Sequence, residues 1–237
     1  RQPTVHRDEL LRLDAFAEWD AAWSAQWATQ LGLRGGRVAM DTGPVQGYNT
    51  MMYGADAAAF NAQDRARTDV NFDGSALVRF EPDQSSRYEL GFARKTRSPN
   101  LYERYTWSSN AMAMYMIGWF GDGNGYIGNL DLKPERADTL SATFDWHAAD
   151  RRWALKATPY YTQVADYVDA IRCVSGAACT AANASTTNQF VVLQYANQSA
   201  RLWGLDLSGH MPLASTRWGE WGLEGLLGLS RGVNRDT

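Results

Sequence analysis

The stretch that decides the fold is Thr139-Leu140-Ser141-Ala142-Thr143-Phe144-Asp145-Trp146. Its even-numbered residues are apolar and its odd-numbered residues are polar. A period of two places successive side chains on opposite faces of a β-strand. The stretch therefore predicts a strand with one apolar and one polar face.

The same alternation recurs on both sides of this stretch. In the first instance the apolar face holds Leu11, Leu13, Ala15, Ala17 and Trp19, and the polar face holds Arg12, Asp14 and Glu18. Further strands are predicted over residues 27–34, 70–80, 88–93, 153–161, 189–209 and 218–233. The sequence thus predicts an all-β chain of about eight antiparallel strands.

The connections between these strands alternate in length. Short turns are predicted near residues 23, 84, 148 and 213, and long polar stretches over 41–66, 98–135 and 172–188. Transmembrane β-barrels have this layout, with tight periplasmic turns and long extracellular loops.

Composition supports the same class. The 237 residues include 10 Trp, 11 Tyr and 8 Phe, yet the mean hydropathy is −0.43. In an outer-membrane barrel only every second strand residue faces lipid, and aromatic residues gather at the two interfaces. No run approaches the roughly 18 apolar residues of a transmembrane helix. A net charge of −3 offers no basic surface, so we expect no nucleic-acid partner.

Two other β folds also fit the alternation. A soluble β-sandwich buries one face of each sheet, and eight strands also suffice for a small closed barrel. Several of the predicted strands are longer than the roughly five or six residues that are usual for a strand. The apolar face of the strands also ends in Trp or Tyr. Both features favour a membrane barrel over the sandwich.

Two segments carry a family resemblance. The first, Tyr88 to Tyr105, contains Arg97-Ser98-Pro99-Asn100-Leu101, and the second, Gly128 to Ala142, contains Asn129-Leu130-Asp131-Leu132-Lys133-Pro134-Glu135. They resemble TonB-dependent receptors, in which one strand ends in an Arg-x-Pro-x-Leu segment and an Asn-Leu-x-Pro-Glu type of segment opens the next.

This resemblance implies a bacterial outer-membrane location and a barrel of about 22 strands. Residues 1–237 would then form one partial barrel domain, an open sheet whose plug domain and remaining strands lie elsewhere. The implied partners are outer-membrane lipid and the TonB complex, which is reached through the plug or N-terminal segment.

The loop from Trp107 to Tyr126 resembles the copper-receptor branch of this family, the OprC/NosA type. The resemblance implies capture of copper as a transported ligand, with no catalytic cofactor. Met112, Met114 and Met116 recur at every second residue, so an extended chain places their thioethers on one side, and soft sulfur ligands select Cu(I). Met51 and Met52 lie in the preceding long loop.

These five methionines are candidate copper ligands or an extracellular relay, since the resemblance implies that part of the principal site comes from the plug and other barrel segments. Alternatively, they fill gaps between loops. The functional alternatives are a receptor for another metal chelate or siderophore, and a non-transport structural barrel. An outer-membrane hydrolase is a weaker alternative, because no nucleophile, base and orienting acid form a local motif. We therefore expect no enzyme activity.

Cys173 and Cys179 are the two cysteines, separated by five residues. A loop disulfide formed in an oxidising compartment fits this spacing, and a thiolate metal site is the alternative. Near the long stretch 98–135, we expect Glu103, Asp122 and Glu135 to pair with Arg97, Arg104 and Arg136 and so to fix the base of the loop.

Overall fold

All eight predicted strands form, and within the described residues a short ninth strand joins them in one sheet. The computed structural model describes residues 8–47, 49–112, 121–173, 181–187 and 189–236. The strands are β1 (Asp8–Ala22), β2 (Trp27–Thr42), β3 (Arg67–Asp83), β4 (Ser86–Arg97), β5 (Gly125–Ile127), β6 (Glu135–His147), β7 (Ala154–Arg172), β8 (Val192–Thr216) and β9 (Gly219–Asn234). The helices are α1 (Thr50–Asn61), α2 (Leu101–Tyr105) and α3 (Ala181–Ser185).

The long strands pair antiparallel in sequence order, and the three-residue β5 pairs in parallel with the start of β8. In the described residues β1 and β9 do not pair, so the sheet is open. A single sheet also excludes the two-sheet sandwich for this part of the chain. The expectation of an open antiparallel barrel segment is therefore confirmed.

The connections alternate between the two ends of the sheet as predicted. Short turns follow β1, β3, β6 and β8, and this end is called the short-turn end. The other end carries the first loop (residues 43–66), the second loop (98–134) and the third loop (173–191), and is called the long-loop end. The helices lie in these three loops.

One predicted turn is wrong. The sequence places a turn at Met211–Ser215, whereas β8 continues to Thr216 and the chain turns at residues 217–218. The register of the β8–β9 pair shifts between Pro212 and Ala214. A β-bulge tolerates a proline, which has no amide hydrogen to donate, so Pro212 interrupts the pairing without ending the strand.

The two faces of the sheet differ in polarity. On β6 the apolar face carries Leu140, Ala142, Phe144 and Trp146, and the polar face carries Thr139, Ser141, Thr143 and Asp145. On the polar face, hydroxyl groups of neighbouring strands approach one another, with 2.8 Å between Thr139 and Thr162. The apolar face stays open, and 53% of Leu140 and 62% of Leu13 are exposed. Such a wide exposed apolar surface requires an apolar surrounding medium.

Aromatic side chains form a row on the apolar face near the short-turn end. The row runs through Trp27, Phe80, Tyr88 and Phe144, and the centroids of neighbouring rings lie 4.4 to 6.4 Å apart. The indole of Trp146 donates to the Tyr88 hydroxyl at 3.3 Å. Aromatic girdles of this kind mark the interface between bilayer and water.

The strands are tilted with respect to this row. Directly paired residues on the apolar face follow one line across the eight long strands: Trp19, Leu31, Ala76, Phe92, Leu140, Tyr161, Trp203 and Arg231. Trp19 lies three residues from the short-turn end of β1, but Arg231 lies twelve residues from that end of β9. The line therefore shifts by about nine residues along the strands, at ~3.3 Å per residue, while it crosses seven gaps between neighbouring strands of ~4.8 Å each. These lengths correspond to a tilt of the strands from the barrel axis of about 40°. Transmembrane barrels have this tilt.

The buried apolar residues gather at the long-loop end. The first cluster contains Val38, Met40, Phe60, Tyr105 and Leu130, and another contains Tyr126, Leu132, Val168 and Tyr195. In both clusters, residues of the loops pack against the parts of the strands that lie nearest the long-loop end. Helices in the described ranges are all too short or too polar to cross a membrane.

Candidate metal-binding loops

Helix α1 presents the first pair of predicted methionines. The Asn49 side chain caps the helix by accepting from the backbone amides of Met51 at 3.0 Å and Met52 at 3.3 Å. An asparagine in this position satisfies amides that the helix itself leaves free. The cap places both methionines on the first turn, where 99% of Met51 and 47% of Met52 are exposed.

The opposite side of α1 holds the first loop against the sheet. Tyr53, Ala57 and Phe60 recur at helical spacing and are buried. The Asn61 side chain closes the loop by hydrogen bonds of 2.8 and 2.9 Å to the amide and carbonyl of Val45. Because the helix is anchored on one side, its methionines remain directed away from the core.

The second loop begins with a capped helix and a charged base. Asn100 and Glu103 form a reciprocal capping box at the start of α2. Arg97 binds Glu103 at 2.9 Å and also contacts Glu135 at 2.5 Å. Both contacts match the predicted charge pairing at the base of the loop. The other predicted members pair elsewhere, since Arg136 lies 3.6 Å from Asp138.

Arg104 also departs from the expected pairing. Its guanidinium binds Asp69 of β3 at 2.8 Å and donates to the Leu132 carbonyl at 2.9 Å. A further guanidinium nitrogen lies 3.5 Å from the sulfur of Met40, which is buried. The thioether of Met40 therefore faces a cation. Sequence reasoning missed this cluster, and the Asn100-x-x-Glu103 spacing was the signal that could have located its helix.

A direct link joins the first loop to the segment that leads to Met112. The Asp56 carboxylate accepts from both the amide and the hydroxyl of Ser109, each at 2.7 Å. Met52 and Asp56 are four residues apart on α1 and therefore lie on one side of the helix, about 6 Å apart at their Cβ atoms. Met112 follows Ser109 by three residues, and 58% of it is exposed. Met114 and Met116 lie outside the described residues.

The tip of the second loop uses its polar groups internally. Gly121 and Gly123 adopt positive φ angles of 65° and 78°. The Asp122 carboxylate accepts from the Asn124 side chain and from the Tyr126 hydroxyl, both at 2.7 Å. Burial raises the pKa of Asp122, but these hydrogen bonds outweigh burial and lower it overall. Asp122 therefore fixes the turn instead of pairing with a loop-base arginine.

The third loop is held by one asparagine. The Asn183 side chain donates to the carbonyls of Cys173 and Val192 and accepts from the Val192 amide at 2.7 Å. Cys173 is buried and takes part in a disulfide. Its predicted partner, Cys179, lies outside the described residues, so this pairing stays a prediction.

Conventional metal clusters are missing from the part of the chain that the structure describes. No group of three or more His, Cys, Asp or Glu side chains there is arranged to hold an ion. The exposed thioethers of Met51, Met52 and Met112 are a separate class of ligand, soft and uncharged. The described parts of the loops can therefore offer sulfur to a soft cation.

Comparison with known proteins places this geometry in a family. Residues 3–236 match the family described as TonB dependent receptor-like, beta-barrel. No curated protein matches the chain by sequence.

Solved structures share the fold at low sequence identity. The chain is similar to copper transporter OprC, with a TM-score of 0.64, 17% identity and coverage of 96% of this chain and 29% of that one. The alcaligin receptor FauA of Bordetella pertussis gives a TM-score of 0.57 and 10% identity over 97% of this chain and 31% of the receptor. The ferric-catecholate import receptor Fiu of E. coli K12 gives a TM-score of 0.57 and 12% identity over 98% and 29%.

The chain thus spans less than a third of the length of each of these receptors. In such barrels the short turns face the periplasm and the long loops face the cell exterior. The match over nearly all residues, the open tilted sheet and the exposed apolar face agree: the chain belongs to the TonB-dependent receptor family and forms part of a β-barrel in the outer membrane of Gram-negative bacteria.

Proposed function

We propose that this chain supplies barrel wall and outer loops to a receptor that captures copper at the cell surface and passes it to the periplasm. The observation that carries the proposal is the pair of hydrogen bonds between Asp56 and Ser109. This link joins the helix that bears Met51 and Met52 to the segment that enters Met112. In this proposal, the link holds thioethers from the two loops in one region of the outer surface.

The ligand chemistry favours copper in its reduced state. Thioether sulfur is soft and uncharged, and it binds Cu(I) in preference to hard divalent ions. Met51, Met52 and Met112 are exposed, so a cation can approach them from outside. In contrast, Met40 is buried against Arg104 and is not a candidate. Met114 and Met116 would contribute two further thioethers from the second loop.

Passage to the periplasm would follow the polar face of the sheet. This face carries hydroxyl groups on β6 and β7 and charged side chains on β1 and β2, including Asp14 between Arg12 and Arg34. The energy would come from the TonB complex, reached through a plug or N-terminal segment. Copper is the transported substrate in this proposal, and none of the residues named has a catalytic role.

The second candidate function is the uptake of a ferric siderophore or another metal chelate. Fold similarity supports it, since the receptors FauA and Fiu both give a TM-score of 0.57, close to the 0.64 of OprC. In that case the methionines would serve only to pack the loops.

The experiment is a titration of the full-length receptor with Cu(I) or Ag(I), followed by copper uptake in cells. The variant changes Met112, Met114 and Met116 together to leucine, which keeps the volume and removes the sulfur. We expect a loss of affinity of about tenfold or more, equal to ~1.4 kcal/mol. The matched control is Met211→Leu, because Met211 lies near the short-turn end and is 48% exposed.

Unchanged affinity and uptake in the triple variant would remove these residues from the ligand set. If the triple variant also retained uptake of a ferric siderophore that the wild-type receptor transports, the second candidate function would be favoured. Equal losses in the triple variant and in Met211→Leu would indicate a general effect of methionine replacement and would contradict the proposal.

A further inference from the structure

Helix α1 carries a methionine that is almost completely exposed. The exposed fraction of Met51 is 99%, compared with 47% for Met52 and 58% for Met112. Met40, on the neighbouring strand β2, is 4% exposed. Oxidation of methionine follows the exposure of its sulfur. Among the methionines that the structure describes, Met51 is therefore the most open to an oxidant outside the cell.

The packing of α1 holds Met51 in this position. Three residues form the buried side of the helix: Tyr53, Ala57 and Phe60. At 3.6 residues per turn, Met51 lies about 160° around the helix from Tyr53, whereas Met52 lies about 100° from it. The Asn49 side chain accepts from the Met51 amide at 3.0 Å and so fixes the first turn. Met51 therefore points directly away from the side of the helix that packs.

The loop that carries α1 does not border a free edge of the sheet. It joins β2 to β3, and the strands on either side of this pair, β1 and β4, also belong to the chain. The next long loop is also in contact with α1, because Ser109 donates to Asp56 of this helix. The exposure of Met51 is therefore set by elements of this chain on both sides.

Oxidation changes the kind of ligand that Met51 offers. The sulfur electron pair attacks one oxygen of hydrogen peroxide, the O–O bond breaks, and the hydroxide that leaves takes up the proton of the transferred oxygen to form water. The sulfur is oxidised to a sulfoxide and the peroxide is reduced. A sulfoxide is polar and presents a hard oxygen, so the soft electron pair that Cu(I) prefers is lost. Because Met51 does not pack against the core, the buried side of α1 stays in place.

We propose that Met51 is a site of oxidation by peroxides, and that its sulfoxide form weakens the capture of Cu(I) by the outer loops. The inference rests on the proposed copper function and adds a redox control to it. The coupling is reciprocal, since a soft cation bound to the Met51 sulfur protects that sulfur from the peroxide. The receptor would thus capture less copper when peroxide is present outside the cell.

The first experiment measures oxidation in the full-length receptor, held in lipid nanodiscs and treated with graded hydrogen peroxide. Mass spectrometry of its peptides gives the sulfoxide content of each methionine, and fragment spectra separate Met51 from Met52. We expect Met51 to oxidise about tenfold faster than Met40 and about twofold faster than Met52. Met211 is an internal reference, because it lies on the lipid-facing side of β8 near the short-turn end.

The second experiment measures the affinity for Ag(I) at a peroxide dose that oxidises mainly Met51, after the peroxide has been removed. We expect the affinity of the wild type to fall about threefold or more. Met51→Gln, which is polar and has no sulfur, should reproduce this loss without peroxide. Met51→Leu should also bind more weakly, and the same dose should not change it further. The matched control Met211→Leu should respond to peroxide as the wild type does.

Protection by the metal completes the test. Saturation with Ag(I) before the peroxide is added should slow the oxidation of Met51 and leave that of Met211 unchanged. Equal oxidation rates for Met51 and Met40 would overturn the inference, as would an Ag(I) affinity that is unchanged after Met51 has been converted to the sulfoxide.

A third variant separates this inference from the function on which it rests. If replacement of Met112, Met114 and Met116 by leucine lowers the Ag(I) affinity but oxidation of Met51 does not, only the redox control fails. If neither change lowers the affinity while Met51 still oxidises first, the copper function itself fails, and the role of the sulfoxide fails with it.

Discussion

The Arg104 guanidinium lies 2.8 Å from the Asp69 carboxylate in a site where 1% of the arginine side chain and 7% of the aspartate side chain are exposed. The same guanidinium donates to the Leu132 carbonyl. One buried cation therefore connects β3, the helix α2 and the segment that precedes β6.

Replacing Arg104 by leucine should destabilise the receptor by about 3 to 5 kcal/mol, because Asp69 would be left buried and unpaired. The double variant Arg104→Leu/Asp69→Leu should recover most of this loss. The free energy of unfolding in lipid vesicles measures both effects, and limited proteolysis of the second loop should follow the same order. Additive losses in the double variant would mean that the two side chains do not act as a pair.

Gly128 is needed for the close approach of two backbone segments. A Cβ atom there would lie 2.6 Å from the Arg104 carbonyl oxygen and 2.8 Å from the Thr106 nitrogen. The Gly128 amide also donates to the Thr106 carbonyl at 2.7 Å. We expect Gly128→Ala to cost about 1 to 3 kcal/mol in unfolding free energy. Gly35→Ala is the control, since no atom lies within 4 Å of its Cβ position, and comparable losses would argue against the steric explanation.

Ala142 and Ser141 are adjacent on β6 but face opposite ways. Arginine at Ala142 would enter the lipid-facing band and should cost about 2 to 4 kcal/mol near the bilayer midplane. Arginine at Ser141 would face the polar interior and should cost much less. Equilibrium unfolding of the receptor from lipid vesicles gives both values. A larger penalty at Ser141 would reverse the assignment of the two faces.

Tyr126 and Asp122 predict a pH dependence in the second loop. Burial raises the pKa of Tyr126 above its ordinary value, and the hydrogen bond to Asp122 raises it further. Its contribution to stability is therefore complete below about pH 10 and is lost as the pH rises through the higher value of the folded state. The pKa of Asp122 is lowered, so its contribution is present above about pH 4 and is lost as the pH falls through the lower folded value.

The measurement is the ultraviolet absorbance of tyrosinate during alkaline titration. Asp122→Asn removes the carboxylate, so the pKa of Tyr126 should move down toward the ordinary tyrosine value. Tyr126→Phe identifies the signal by deleting it. If Asp122→Asn left the late-titrating tyrosine unchanged, burial alone would account for the raised pKa.

Much of the sheet was predictable because period-two alternation is a local property. Leu11 to Trp19 and Thr139 to Trp146 each reveal both faces of their strand without any distant contact. The β8–β9 turn was misplaced because Pro212 is read locally as a strand breaker, whereas its bulge depends on the partner strand. β5 has three residues, too few to show a period.

The candidate site was less predictable, since its contacts join residues far apart in sequence. Arg104 and Asp69 are 35 positions apart, and Asp56 and Ser109 are 53 apart. No spacing rule connects such pairs. The exposed methionines could be named from residue type, but their arrangement around α1 depends on the Asn49 cap and on packing beneath the helix.

The hydrogen bonds between the loops carry a mechanical consequence. The Asp56 carboxylate accepts from the Ser109 amide and so joins the first loop to the second. The Gly125 amide donates to the Val191 carbonyl at 3.0 Å and joins the second loop to the third. A displacement of one long loop is therefore transmitted to the other two. Displacing one of the three loops should consequently strain the hydrogen bonds of its neighbour, so the described parts of these loops should resist displacement together.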